Sequence, residues 1–164
     1  MSPLSSLTSL TNLSLSECTQ LSDVSPLYSL TSLTSLHLSV CTQLSDVSPL
    51  SSLTSLTNLN LSECAKLSDV SPLSSLTTLT SLNLSYCDQL SDVSPVSNLD
   101  DLRFVSSLVR LRTLNLLDCC AQLTDVSPLS SLTSLNTLYL GCGDDADNNN
   151  TPIPSINHQP TYET

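Results

Sequence analysis

The sequence repeats itself with a 23-residue period. Cys18, Cys41, Cys64 and Cys87 share this spacing, as do Pro26, Pro49, Pro72 and Pro95, and Asp23, Asp46, Asp69 and Asp92. One unit runs LTNLSLSECTQLSDVSPLYSL from Leu10, and the next, LTSLHLSVCTQLSDVSPLSSL, starts at Leu33. A unit this short cannot enclose a core of its own. Its apolar side chains point one way and are buried only when a second unit stacks on them, which makes the chain a solenoid. Aromatic residues are 3% of the chain and apolar residues 39%, so leucine has to fill that core almost alone. Two glycines in 164 residues imply that few positions need a left-handed backbone.

Inside a unit two periods alternate. Leu13-Ser14-Leu15 reads apolar–polar–apolar, as a half-buried strand does. The matching pairs Leu36/Leu38, Leu59/Leu61, Leu82/Leu84, Leu114/Leu116 and Leu138/Leu140 predict six such strands. From Leu21 onward the apolar residues come every third position (Val24, Leu27, Leu30, Leu33, Leu36), a spacing that suits 3₁₀ turns and extended links. Ser25 followed by Pro26 predicts a hydroxyl N-cap with proline at the first helical position. Coils stacked ~4.8 Å apart would pair their strands in parallel and set each leucine over its counterpart.

The pattern Leu10-x-x-Leu13-x-Leu15-x-x-Cys18-x-x-Leu21 resembles the leucine-rich-repeat segment in its cysteine-containing form. Leu21-Ser22-Asp23-Val24-Ser25-Pro26-Leu27 is similar to the turn and arc of bacterial internalin-type repeats, and comparable arrays occur in protozoan leucine-rich-repeat proteins. The resemblance extends over residues 3–140. It implies an α/β-type solenoid of about six coils. Such a solenoid has a single parallel β-sheet on its concave face and 3₁₀, short-helical and extended arcs on its convex face. The family's concave face binds proteins.

Residues 1–143 are therefore assigned to the solenoid, and the polar, acidic, Pro/Asn-rich residues 144–164 to a disordered tail. The step from Pro95 to Pro128 exceeds the period by ten positions. Nine of these are placed in an insertion at Val96–Phe104 and one at Cys119-Cys120. Neither end carries a polar cap, so the chain reads as a fragment whose outer leucine columns favour end-to-end self-association.

Charge narrows the function. Fifteen acidic residues oppose four basic ones, for a net charge of −11. No Lys/Arg cluster is present to neutralise phosphates, so nucleic acid is not an expected partner. No apolar run reaches the ~20 residues that cross a bilayer, so membrane insertion is not expected either. The start of the chain has no basic n-region, and its unpaired thiols suit a reducing compartment. A cytoplasmic setting is expected over a secreted or cell-surface one.

The columns of reactive residue types have structural readings. The cysteines are expected to form a buried ladder bonded to loop backbone, because a metal site needs close pairs that converge. Asp23, Asp46, Asp69, Asp92 and Asp125 are expected to accept backbone N–H groups in Asx-type turns. Two histidines, His37 and His158, supply no nucleophile–base–acid constellation. No catalytic residue, cofactor or metal is expected.

What remains is the exposed variation between units. On the strand face His37, Asn60, Asn83, Asn115 and Tyr139 lie between the paired leucines, and Glu63, Tyr86 and Asp118 lie two residues past the second. These eight are the expected contacts with a protein partner, since large amphipathic side chains such as tyrosine anchor interfaces. Asp100, Asp101, Arg103, Phe104, Arg110 and Arg112, in and beside the insertion, are further candidates. The resulting expectation is a non-catalytic protein-binding module. The alternatives are the substrate-recognition arm of a larger enzyme such as a ubiquitin ligase and, more remotely, an ice-binding surface. The last rests on the threonine ladders Thr11/Thr34/Thr57/Thr80 and Thr8/Thr31/Thr54/Thr77.

Overall fold

The computed structural model describes residues 3–91, 102–119 and 127–141. Six strands, β1 (Asn12–Ser14), β2 (Ser35–His37), β3 (Asn58–Asn60), β4 (Ser81–Asn83), β5 (Thr113–Leu117) and β6 (Thr137–Gly141), form one sheet in chain order, every pair parallel. The register follows the repeat: Leu13 faces Leu36, then Leu59, Leu82, Leu114 and Leu138. Each strand is short because its unit supplies only one apolar–polar–apolar triplet before the chain turns away. The solenoid architecture expected from the period is what the chain adopts.

The arcs are short 3₁₀ turns at Pro3–Ser6, Ser25–Ser29, Ser48–Ser52, Ser71–Ser75, Asp88–Ser91, Leu102–Ser107 and Ser127–Ser131. The cap differs from expectation. Val24, Val47 and Val70 occupy the N-cap, with Ser25, Ser48 and Ser71 already inside the turn and proline after them. No hydroxyl caps these turns. The aspartate two residues before the serine takes over instead, accepting its backbone N–H at 2.8 Å in each coil: Asp23 from Ser25, Asp46 from Ser48 and Asp69 from Ser71. This is the Asx geometry expected of the column. Asp92 and Asp125 lie outside the described residues.

Leucine columns run along the interior. Leu36, Leu38, Leu44, Leu50, Leu53 and Leu56, their counterparts one repeat later, and Leu82, Leu84 and Leu90 beyond those are buried, and Leu10, Leu13, Leu15 and Leu21 of the first coil are partly buried against them. Hydroxyls stitch the coils where strands do not. Thr34, Thr57 and Thr80 each donate to the carbonyl of the threonine one coil earlier, at 3.0, 2.9 and 3.0 Å. Ser29, Ser52 and Ser75 donate in the same sense to Ser5, Tyr28 and Ser51. The Thr11 ladder is therefore occupied by the scaffold, whereas Thr8, Thr31, Thr54 and Thr77 are exposed.

After the irregular stretch the chain returns to the arc motif. Ser81 pairs with Thr113, a step nine positions longer than the one from Asn58 to Ser81. The turn Leu102–Ser107 lies against the turns on both sides, Ser71–Ser75 and Ser127–Ser131, and so fills the arc position of its coil. Ser107 donates to Ser74 at 2.7 Å, as Ser75 does to Ser51. Phe104-Val105-Ser106-Ser107-Leu108 thus stands where other coils carry Pro-Leu-Ser-Ser-Leu. The extra nine positions fall before it, among residues 92–101, which lie outside the described part. Phe104, expected as an exposed contact on an insertion loop, is corrected to a core residue: it is 6% exposed because the arc turns it inward beside Val105. Phe104→Ala should cost roughly 3–5 kcal/mol of stability, the range for emptying a buried phenylalanine site, and a denaturant melt measures it.

Candidate functional site

The side chains between the paired leucines line up across the sheet. Register pairs Ser14 with His37, His37 with Asn60, Asn60 with Asn83, Asn83 with Asn115 and Asn115 with Tyr139. Because side chains two apart share a face of a strand, a parallel ladder lies beside it: Asn12, Ser35, Asn58, Ser81, Thr113 and Thr137. Sequence reasoning missed this second ladder, although strict alternation extended one step before the first leucine would have found it.

Members of the first ladder differ in what they have left to offer. His37 is exposed, its Nε2 3.2 Å from the Ser35 hydroxyl. Asn60, Asn83 and Asn115 are half-buried and serve the scaffold as well. Their side-chain oxygens accept the backbone N–H of Ser62, Ser85 and Leu117, each at 3.0 Å, and close the end of the strand. Tyr139 is half-buried on the last strand. A hydroxyl–imidazole pair on an open strand face has none of the enclosing, preorganised donors that acyl transfer uses. Among the described residues no three His, Cys, Asp or Glu side chains gather as metal ligands.

The positions two past the second leucine form a ridge with an unexpected backbone. Glu17, Val40, Glu63, Tyr86 and Asp118 have φ of 63°, 60°, 60°, 57° and 52°, so each of these coils has a left-handed residue here and none is glycine. The scarcity of glycine, read as a scarcity of left-handed positions, was therefore misleading. A left-handed L-residue costs about 1–2 kcal/mol. The turn is held because each of these residues donates its N–H to the next coil: Glu17 to Ser39, Glu63 to Ser85, Tyr86 to Leu117 and Asp118 to Gly141 at 2.8 Å, and Val40 to Ser62 at 2.9 Å. The twist turns Glu63 and Tyr86 outward, with Tyr86 49% exposed, and leaves Asp118 half-buried. Glu63, Tyr86, Thr42, Ala65 and Asp88 line a shallow open hollow on this ridge. Val40 is the worst fit, being β-branched. Val40→Asn, which tolerates the left-handed region, should raise stability by about 1 kcal/mol in a thermal melt.

Beneath the ridge runs the thiol ladder. Cys41, Cys64 and Cys87 are buried and donate to Leu15, Leu38 and Leu61 of the preceding coil at 3.3, 3.3 and 3.1 Å. Cys119 is also buried and bonds Leu116 of its own coil at 3.1 Å. Cys18, in the first coil, departs from the expected ladder by being exposed. Desolvation pushes the thiols up, foremost at Cys64 and Cys87, which reach about 12 with neighbouring thiol or carboxylate charge adding to the effect. Asp23 moves the other way. The Ser25 hydroxyl and then its backbone N–H stabilise the carboxylate, lowering its pKa.

The thiols give a pH prediction. Unfolded cysteines ionise near 9, whereas Cys64 and Cys87 stay protonated in the fold to about 12. The native state then binds more protons than the unfolded one, so stability is intact below pH 9 and falls as pH rises from 9 towards 12. Denaturant titrations across that range should show the decline, and Cys64→Ala/Cys87→Ala should flatten it. In mildly alkaline buffer, mass mapping after brief alkylation should find Cys18 modified before Cys41, Cys64 or Cys87.

The remaining candidates scatter. Arg110 and Arg112 are exposed on the approach to β5, where the Arg112 backbone takes the place that Thr80 holds one coil earlier. Arg103 lies in the turn Leu102–Ser107, described by its backbone alone, and Asp100, Asp101 and His158 lie outside the described residues.

A profile of paired leucine-rich repeats matches residues 8–52, 31–75 and 54–98, each match starting one repeat after the last. The chain belongs to the leucine-rich-repeat family. Among solved structures this leucine-rich-repeat chain is similar to internalin C2 of Listeria monocytogenes, with 29% identity and a TM-score of 0.61 over 84% of this chain and 54% of that one. It is also similar to an internalin, inlF, of the same organism, with 36% identity and a TM-score of 0.59 over 83% of this chain and 42% of that one. The chain thus spans about half the length of the internalins it matches. No curated protein matches it in sequence. Leucine-rich-repeat proteins generally mediate protein–protein interaction.

Proposed function

We propose that the strand face binds a protein partner without chemistry of its own, through His37, Asn60, Asn83, Asn115 and Tyr139 with Glu63, Tyr86 and Asp118 along its edge. One observation carries the reading. The residues that build the coil (the leucine columns, the thiols and the Asx aspartates) are nearly invariant from unit to unit, while the outward ladder changes from Ser14 to His37 to Asn60 and finally Tyr139. Were the face only solvated, nothing would favour histidine and tyrosine at these strand positions over the serine that stands there in the first coil, Ser14. Arg110 and Arg112 stand at the start of β5, where they would extend the contact, and they are included in the proposed surface.

A photo-crosslinking residue placed at Asn58 or Ser81 on the strand face should give discrete protein adducts from extracts of the source organism. The same residue at Thr54 or Tyr28, on the arcs, should not. His37→Ala with Tyr139→Ala should reduce those adducts at least about fivefold, since interface tyrosines are worth a kilocalorie or more. Equal crosslinking from both sides would place the interaction elsewhere.

A further inference from the structure

The ridge at the end of the strands offers more than a generic protein contact, and the following rests on the strand-face reading. Four carboxylates mark this edge, on Glu17, Glu63, Asp88 and Asp118. In the middle of them the column Thr19, Thr42, Ala65, Asp88 narrows to alanine, and the missing bulk opens the hollow lined by Thr42, Glu63, Ala65, Tyr86 and Asp88. Tyr86 stands at its side with half of its surface in water, although among the described residues the buried core includes a single aromatic residue, Phe104. Lys66, next in the chain to Ala65, is turned towards the neighbouring coil, its Nζ 2.6 Å from Gln43 Oε1.

We infer that this hollow receives an arginine side chain of a basic segment in the partner, the guanidinium stacked on Tyr86 and paired with Glu63 and Asp88. The chemistry fits in three ways. An aromatic face attracts a cation lying within ~6 Å of its centre. The planar, weakly hydrated guanidinium stacks and forks onto carboxylates, which a lysine ammonium cannot do together. The acidic field of a chain with net charge −11 draws a basic segment in, and a shallow rather than enclosed hollow suits the end of a long side chain more than a whole small molecule. Glu63 and Tyr86 occupy equivalent places on adjacent coils, each tied by its N–H to the following coil, so the spacing of the two backbone positions from which carboxylate and ring project is set by the stacking of the coils.

The test uses the whole chain and two capped tripeptides, acetyl-Gly-Arg-Gly-amide and its citrulline counterpart, which keeps the shape but not the charge. Titration followed by backbone amide NMR should shift Glu63, Ala65, Tyr86 and Asp88 with the arginine peptide and leave them unmoved with citrulline. Glu63→Gln and Tyr86→Ala should each weaken binding by roughly two- to fivefold, the size of an exposed cation–π or ion-pair contact. Glu63→Gln is nearly isosteric and keeps the test informative if Tyr86→Ala disturbs the turn. Equal response to citrulline, an undiminished affinity in Glu63→Gln, or shifts centred on Asp23, Asp46 and Asp69 instead would each overturn the inference. Strand-face crosslinking with no response of the ridge to the arginine peptide would overturn it too, while leaving the broader binding role standing.

Discussion

Everything in this molecule depends on how a coil with so short a strand satisfies its backbone where the ladder stops. A buried carbonyl without a donor costs about 1–3 kcal/mol, and each coil has far more carbonyls than its strand can pair. The chain meets this with side chains. Threonine hydroxyls bridge at the approach to β2, β3 and β4, cysteine thiols behind these strands and serine hydroxyls on the arc, each reaching the coil before. Among the described residues no buried side-chain nitrogen or oxygen lacks a partner. The heavy use of Ser and Thr, which looks like low complexity in the sequence, is the polar half of the same packing problem that leucine solves on the apolar side.

Recognition is then built on what that scaffold leaves over. The strand face and the left-handed ridge require particular backbone geometry but little particular chemistry. Glutamate, valine, tyrosine and aspartate all occupy the same left-handed turn, because the hydrogen bond holding it comes from the main chain. The asparagines are intermediate. The amide oxygen closes the strand while the residue stays partly exposed on the strand face, so they support the site and belong to it. This division explains how a thiol raised to about 12 can lie directly beside an exposed tyrosine without sharing its role.

The fold was legible because its cause is periodic. The constant step between units, the paired leucines and the aspartate turns each recur often enough that one unit checks another, and strand number, order and register all follow. The left-handed ridge was hidden, since the usual marker is glycine and this chain strains other residues instead. Phe104 was misread for a related reason. A lone aromatic in an irregular stretch looks like an exposed anchor, and only the position of its turn between two regular arcs reveals that it replaces a proline. The candidate site was legible as a set of columns but not as a surface. That Ala65 opens a hollow beside Tyr86 depends on neighbours contributed by successive coils, which the sequence keeps far apart.

Among the described residues the hydroxyl and thiol bridges between coils all run one way, from each coil to the one before. The array is thus a vector: every unit has a hook on its leading side and an eye on its trailing side. Units can be copied, lost or exchanged in the same orientation without unmaking a bond, which makes the gene tolerant of unequal crossing-over. The nine additional positions ahead of Leu102 and the shared face of differing strand residues are the kind of variation that such copying leaves for selection to sort.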